Sequence, residues 1–198
     1  MSGICLVAFA VFAVTDWIAV SNKQTRLEYL AKPATLAALL LYAANGSASP
    51  WLIAALALSL LGDVYLMLPG DLFIAGLSAF LLAHLAYIGD IDATVGGRLC
   101  WLVVVLALSS PLSLRILRSV TDPGLRVAVC VYMLAIALMV GSAVAAGEWL
   151  AVLGALLFFA SDSLIAWNRF VVPLPWAPTA IIVTYHLGQW GLATALRS

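Results

Sequence analysis

Long uninterrupted apolar runs are the feature of this sequence that most narrows its possible folds. The stretches from Trp101 to Ser109 and from Val127 to Ala146 contain no charged residue and show no alternation of apolar and polar positions. Of the whole chain, 65% of residues are hydrophobic and only 9% are charged, whereas a soluble domain carries roughly 25% charged residues. The core that a soluble chain of this length could form cannot hide so much apolar surface from water. Lipid is therefore the expected solvent for most of these side chains.

The lack of alternation also selects between the two kinds of structure that cross a bilayer. In lipid every backbone N–H and C=O must be paired internally, so only helices and closed barrels can span. Barrel strands would alternate apolar and polar positions over about 10 residues. The sequence instead predicts an all-α, polytopic transmembrane helical bundle, a single integral membrane domain over residues 1–198. About eight spans are expected, because turn formers and helix breakers separate the apolar runs. The spans are expected near residues 3–20, 31–45, 50–68, 72–89, 99–117, 126–146, 149–167 and 176–196.

The distribution of basic residues predicts the orientation. The first span lacks a basic residue before its apolar stretch, so it is expected to be a retained helix and not a cleaved signal. Most basic residues fall in the connections after odd-numbered spans, and the positive-inside rule makes these connections cytoplasmic and places both termini outside the cell membrane. They are Lys23, Arg26, Lys32, Arg115, Arg118, Arg126 and Arg169. The net charge is zero without a basic cluster, so no nucleic-acid partner is expected.

Ionisable residues within the spans are the strongest functional signal, because each costs at least about 2.5–3.5 kcal/mol at a helix centre. At about 1.5 Å per residue, Asp63 and Asp162 both lie roughly 10 Å from the cytoplasmic face, and His186 lies near the midplane. We therefore predict a cavity that opens towards the cytoplasmic leaflet. Asp16 and Glu148 are expected to reach the interface from span ends and are left out of the site. The candidates are Lys32, Asp63, His84, Asp162 and His186, accompanied by Tyr87, Asn168 and Tyr185.

A weak internal repeat relates the two acids. The segment 61–67 resembles the segment 160–166, and each acid is followed by a turn and a helix that bears a histidine. Four spans per half would make the halves, about 1–98 and 99–198, parallel repeats. Asp63 and Asp162 would then lie at equal depth on facing helices. The simpler alternative for Asp63 is a structural ion pair with Lys32.

Three blocks of the sequence together resemble a known family. They are the Lys32-Pro33 pair, the block from Gly62-Asp63 through Gly76, Phe80, His84 and Tyr87, and the block from Ser161-Asp162 through Arg169-Phe170 to Tyr185-His186-Gln189. Their order and spacing are similar to those of the YhhN-like, lysoplasmalogenase family of eight-span membrane proteins. The resemblance covers roughly residues 28–90 and 150–196, and residues 91–145 add only hydrophobicity.

This resemblance implies a hydrolase that cleaves the vinyl ether bond of lysoplasmalogens to a fatty aldehyde and a glycerophospho-ethanolamine or -choline. The chemistry needs one protonated carboxyl group as acid and one carboxylate to stabilise the cation and activate water. We assign Asp162 as the acid and Asp63 as the carboxylate. Lys32, with Asn168 and Arg169, is expected to hold the lipid phosphate, and His84, Tyr87, Tyr185 and His186 to contact the substrate. No metal and no cofactor are expected.

Two other classes of function remain open at this point. Parallel repeats with intramembrane Asp and His also describe a small proton-coupled transporter. A noncatalytic lipid-binding membrane protein is the third possibility. The transporter would move a substrate across the membrane of sealed vesicles without releasing a product. The lipid-binding protein would keep its function after replacement of both aspartates.

Overall fold

The computed structural model of the chain describes residues 2–197, and over this range it forms eight α-helices and no β-strand. The predicted helical bundle is confirmed. The helices are α1 Ser2–Ser21, α2 Thr25–Ala44, α3 Pro50–Met67, α4 Phe73–Asp90, α5 Val95–Ser119, α6 Pro123–Ala146, α7 Trp149–Phe170 and α8 Ala177–Leu196.

Six of these helices, all except α2 and α8, are long and apolar enough to cross a membrane by themselves. The chain is therefore a multi-pass membrane protein. The two exceptions are 20 residues long, and they contain polar residues that lower their mean hydropathy, such as Lys32 in α2 and His186 in α8. In both helices the buried positions outnumber those of α5, in which only Ile116 is buried. The two more polar helices are thus more buried than α5, which lies at the edge of the bundle.

The start of α2 differs from the prediction. The sequence suggested a helix from residue 31, with Pro33 in its first turn, but α2 begins at Thr25 and Pro33 lies in its interior. The reason is that residues 25–32 are mostly good helix formers and that Glu28 and Lys32 form an ion pair one turn apart. These gains offset the hydrogen bond that proline cannot donate. The extra turns bring Glu28 next to Lys32, which matters for the site.

Neighbouring helices along the chain form four packed pairs, α1–α2, α3–α4, α5–α6 and α7–α8. The connections are short, so the two helices of each pair run in opposite directions. Helix α8 closes the bundle by also contacting α1, α2 and α3, and α6 packs against both α4 and α7. The α5–α6 pair is thus joined to the rest mainly through α6.

Three glycines let the backbones of α7 and α8 touch. A Cβ atom at Gly154 would lie 2.7 Å from the amide nitrogen of Leu192, and one at Gly188 would lie 2.9 Å from the amide nitrogen of Phe158. Gly191 is equally close to the α7 backbone. Small residues at a helix contact are the usual way for membrane helices to approach closely. This contact fixes Asp162 on α7 relative to Tyr185 on α8.

Candidate functional site

A cavity of about 300 Å³ lies within the bundle and contains most of the polar residues singled out in the sequence. Its walls come from all the helices except α5 and α6. Five predicted site residues line it, namely Lys32, Asp63, Asp162, Asn168 and Tyr185. Its other polar lining residues are Glu28, Ser161 and Arg169. Residues that are distant in the sequence therefore converge on one polar space inside an otherwise apolar bundle.

Asp63 is held by a tyrosine from the opposite side of the cavity. It lies one turn before the end of α3 and is only 5% exposed. The hydroxyl of Tyr185 on α8 donates a hydrogen bond of 2.8 Å to Asp63 Oδ2. The Tyr185 ring is itself fixed by edge contacts with Phe80 and Phe158. One carboxylate oxygen of Asp63 is therefore engaged, and Oδ1 accepts no bond from a described side chain.

Asp162 is held in the same way by a different tyrosine. Tyr132 on α6 donates a hydrogen bond of 2.5 Å to Asp162 Oδ2. The Nε2 atom of His84 lies 3.7 Å from that same oxygen, which is beyond normal hydrogen-bond length. His84 is fully buried, and its ring packs against Tyr132 with centroids 5.1 Å apart. Asp162 thus has a tyrosine partner and a buried imidazole beside it.

Tyr132 was missed by the sequence interpretation. It lies in residues 91–145, which we took to contribute hydrophobicity alone, and its neighbours along α6 are apolar. A tyrosine in a lipid-spanning run is more often a packing residue than a site residue. The only available signal was that its hydroxyl, if buried, would need a partner.

Lys32 is paired with Glu28, not with Asp63. Its Nζ atom lies 2.8 Å from Glu28 Oε1, and the two side chains are 16% and 28% exposed. The structural ion pair considered for Asp63 is therefore wrong. Glu28 was not among the predicted site residues because the expected start of α2 left it in a connection. The pair places both signs of charge on one wall of the cavity.

Three predicted substrate-binding residues do not line the cavity. His84 stands beside Asp162, outside the lining. Tyr87 is fully buried and donates a hydrogen bond to Oε1 of Gln189. His186 accepts a hydrogen bond of 3.1 Å at Nδ1 from the indole N–H of Trp17. The structure therefore gives Tyr87 and His186 partners within the helix packing.

Asp16 does not reach the interface as expected. It is fully buried, and neither of its oxygens has a hydrogen-bond partner in the part of the chain that the structure describes. The Nε2 atom of His186 lies 3.8 Å from Asp16 Oδ2. The reason is that α1 packs against α8 at this level, so the side chain cannot turn outwards to solvent.

Asn168 and Arg169 occupy the last turn of α7, where the cavity meets the α7–α8 connection. Asn168 Oδ1 accepts a hydrogen bond of 2.7 Å from the backbone N–H of Leu174 and so fixes that connection. Arg169 donates to both carboxylate oxygens of Asp71, at 2.9 and 2.7 Å, and its guanidinium group lies 4.0 Å from the centroid of the Phe73 ring. These contacts tie the α3–α4 and α7–α8 connections together beside the cavity.

An apolar groove adjoins the polar cavity at Asp162. It is smaller than the cavity, with a volume of about 50 Å³ against about 300 Å³. Its walls come mainly from α4, α5, α6 and α7, and it shares Leu66, Phe73, Phe80 and Ile165 with the cavity. Asp162 lines both spaces, whereas Asp63 lines only the polar cavity.

Few side chains that could bind a metal ion converge around the cavity. Within residues 2–197, no three His, Cys, Asp or Glu side chains converge as metal ligands would. His84 and Asp162 are the nearest approach to such a group beside the cavity. Two side chains are fewer than a protein zinc site provides.

The fold and the cavity define a class: a multi-pass helical membrane protein with two tyrosine-bound carboxylates in a cavity inside the bundle. Residues 27–196 match the sequence model of the YhhN family, and the chain belongs to that family. No solved structure matches it.

Curated relatives include two animal proteins named Lysoplasmalogenase TMEM86B. The Sus scrofa protein is 36% identical over 149 residues, which cover 74% of this chain and 63% of the relative. The Homo sapiens protein is 34% identical over 158 residues, which cover 78% and 67%. A Mycobacterium bovis protein named Lysoplasmalogenase is 36% identical over 154 residues, which cover 68% and 59%. The chain therefore spans about three fifths to two thirds of the length of these relatives.

Proposed function

We propose that this protein is a membrane hydrolase that cleaves the vinyl ether bond of lysoplasmalogens. The products would be a fatty aldehyde and a glycerophospho-ethanolamine or -choline. The observation that carries the proposal is a pair of carboxylates, Asp63 and Asp162, on one cavity, each tied to a tyrosine through a single oxygen. Membership of the YhhN family and relatives named lysoplasmalogenase support it.

The proposed roles follow from the surroundings of the two carboxyl groups. Asp162 lines the apolar groove as well as the cavity, and apolar surroundings favour the neutral form of a carboxyl group. Asp63 lines the polar cavity together with the Lys32 ammonium group, which favours a carboxylate. Asp162 is therefore the acid and Asp63 the base. A reaction through an oxocarbenium-like cation requires these two roles, one protonated carboxyl group and one carboxylate.

The reaction balances with these two groups and one water molecule. Asp162 gives its proton to the vinyl carbon that does not carry the oxygen, and the C=C electron pair forms the new C–H bond. The carbon attached to oxygen becomes the cation, and water adds to it while Asp63 takes a proton. The hemiacetal then returns its hydroxyl proton to Asp162 and its C–O bond breaks. The leaving oxygen takes the proton from Asp63, which restores both groups.

The ion pair on the cavity wall suits the headgroup of such a substrate. Lys32 offers a positive charge for the phosphate, and Glu28 offers a negative charge for the ammonium or choline end. Arg169 and Asn168 line the same cavity. On binding, the ion pair between Lys32 and Glu28 would be replaced by two, one between Lys32 and the phosphate and one between Glu28 and the ammonium or choline group. The charges of Lys32 and Glu28 would therefore stay paired at this partly buried position. His84 supports Asp162 from outside the cavity in this proposal.

The deciding experiment uses the purified protein with a lysoplasmalogen and with its saturated ether analogue. Aldehyde release from the vinyl ether alone is expected, with loss of release in Asp63→Asn and in Asp162→Asn. Asp92→Asn is the matched control, because Asp92 is exposed on the α4–α5 connection. Full activity in both cavity variants would exclude this site. Substrate flux into sealed vesicles without aldehyde would identify a transporter instead.

We also propose that both termini lie outside the cell membrane and that the cavity faces the cytoplasmic leaflet. Basic residues such as Lys23, Arg118, Arg126 and Arg169 cluster at the end of the bundle where α3 and α7 finish, and such residues favour the cytoplasmic side. Asp63 lies one turn from that end. Epitope tags at both termini should be cleaved by protease added to intact cells. Protected tags would reverse the orientation.

A further inference from the structure

The apolar groove beside Asp162 holds no part of the headgroup in the proposed function. Its walls are almost entirely aliphatic and aromatic side chains, and its only ionisable side chains are Asp162 and Tyr132, which are bonded to each other. Helix α5 forms one wall through Leu112, Ser113 and Ile116. Because α5 lies at the edge of the bundle and only its Ile116 is buried, this wall separates the groove from the lipid around the bundle.

We infer that the groove binds the hydrocarbon chain of the lysolipid, beginning at the carbons next to the ether bond. The inference rests on the proposed function and adds a site for the part of the substrate that the polar cavity does not suit. The lining of the groove is apolar and its volume is about 50 Å³, so it suits the first chain carbons and not a charged headgroup. Burial of apolar chain surface there is favourable by roughly 25 cal/mol per Å². The headgroup and glycerol occupy the wider cavity with Lys32, Glu28 and Asp63.

This placement explains why the two carboxyl groups are located as they are. In an alkenyl ether the carbon that receives the proton is on the chain side, and the carbon that water attacks carries the oxygen on the glycerol side. Asp162 lines both the groove and the cavity, so it faces the chain-side carbon. Asp63 lines only the cavity, so it faces the carbon that water attacks. The chain in the groove therefore fixes which end of the double bond meets the acid.

The groove makes a specific prediction about substrate size. Ser113→Trp fills the groove from α5, and Leu114→Trp places the same ring on the outward face of the same helix, where Leu114 is 49% exposed. With a long-chain lysoplasmalogen, kcat/KM should fall about tenfold or more in Ser113→Trp and change little in Leu114→Trp. A vinyl ether with only the two vinyl carbons beyond the oxygen should be cleaved equally by all three proteins. Equal cleavage of the long-chain substrate by both variants would overturn the inference.

A binding experiment separates failure of the groove from failure of the hydrolase. The probe is a saturated ether lysolipid with a diazirine on the third chain carbon, which binds without being cleaved. In the unmodified protein, crosslinks are expected at groove residues such as Met133, Phe159 and Ala166, and long-chain saturated lysolipid should compete with them. Crosslinks confined to the outward face of α5 would refute the groove. If groove crosslinks form but no vinyl ether is cleaved, the chain site stands and the proposed function fails.

Discussion

Replacement of Tyr132 by phenylalanine tests the assignment of Asp162 as the acid. The change removes the hydroxyl that donates 2.5 Å to Asp162 Oδ2 and keeps the ring that packs against His84. Under the proposed mechanism Asp162 is neutral before proton transfer and becomes a carboxylate during it. The Tyr132 hydrogen bond therefore strengthens as the reaction proceeds, which is the condition for an effect on kcat.

The size of the effect follows from the two states of this bond. A hydrogen bond to a charged group contributes about 1.5–3 kcal/mol and one between neutral groups about 0.5–1.5 kcal/mol. Their difference of about 1–2 kcal/mol corresponds to a loss of roughly 5- to 30-fold in kcat for Tyr132→Phe. KM should change little, because the ring stays in place.

Tyr185→Phe is the comparison that makes the prediction sharp. Tyr185 donates 2.8 Å to Asp63, which is charged before the reaction and takes up a proton during it. This hydrogen bond weakens along the reaction, so kcat should stay within about threefold. Tyr42→Phe is the control, since Tyr42 is buried and does not line the cavity. Aldehyde release measured for all three variants decides the matter. A larger loss of kcat in Tyr185→Phe than in Tyr132→Phe would refute the assignment of Asp162 as the acid.

Two further predictions concern the helix packing that holds the site. Gly188→Leu should lower the thermal unfolding midpoint in detergent through a loss of at least about 1–3 kcal/mol, because its side chain would overlap the backbone at Phe158. Gly96→Leu is the control and should leave the midpoint unchanged, because nothing lies within 4 Å of a Cβ atom at Gly96. Equal midpoints for the two variants would contradict the helix contact. Trp17→Phe should cost about 1–3 kcal/mol of unfolding free energy by leaving the buried acceptor of His186 without a donor. An unchanged midpoint would mean that this hydrogen bond adds nothing to stability.

Sequence reasoning worked best where depth along a helix was the question. Counting residues from the turns placed Asp63 and Asp162 at similar depth near one end of the bundle, and both line one cavity. Depth follows from the constant rise of a helix, and the breaks between spans were clear in the sequence. Lys32, Asn168 and Tyr185 line the same cavity.

The sequence could not show which way each helix is turned about its axis. Tyr87 and His186 lie at plausible depths but take part in helix packing. Apolar residues surround a membrane helix on every side, so periodicity does not mark the inward face as it does in water. Tyr132 was missed because its α6 neighbours carry no polar signal, and Asp16 was misplaced because its depth near a span end suggested an exposed position.

The partners of charged residues were also beyond the sequence. Lys32 and Asp63 are both intramembrane charges, and a structural ion pair between them was the alternative considered for Asp63. The actual partner of Lys32 is Glu28, which came within reach only because α2 starts two turns earlier than Pro33 suggested. A proline is evidence for a helix start, but the helix-forming residues before it can outweigh that evidence.

The glycine contact between α7 and α8 has a mechanical consequence. With no layer of side chains between their backbones at Gly154 and Gly188, we expect these two helices to move together as one body. That body carries Asp162 together with Tyr185, the residue that holds Asp63. If the groove widens to admit a chain, we therefore expect its other wall to move. That wall is the peripheral helix α5, which is joined to the bundle mainly through α6. The protein can open on its lipid-facing side while Asp162 and Tyr185 keep their relative positions.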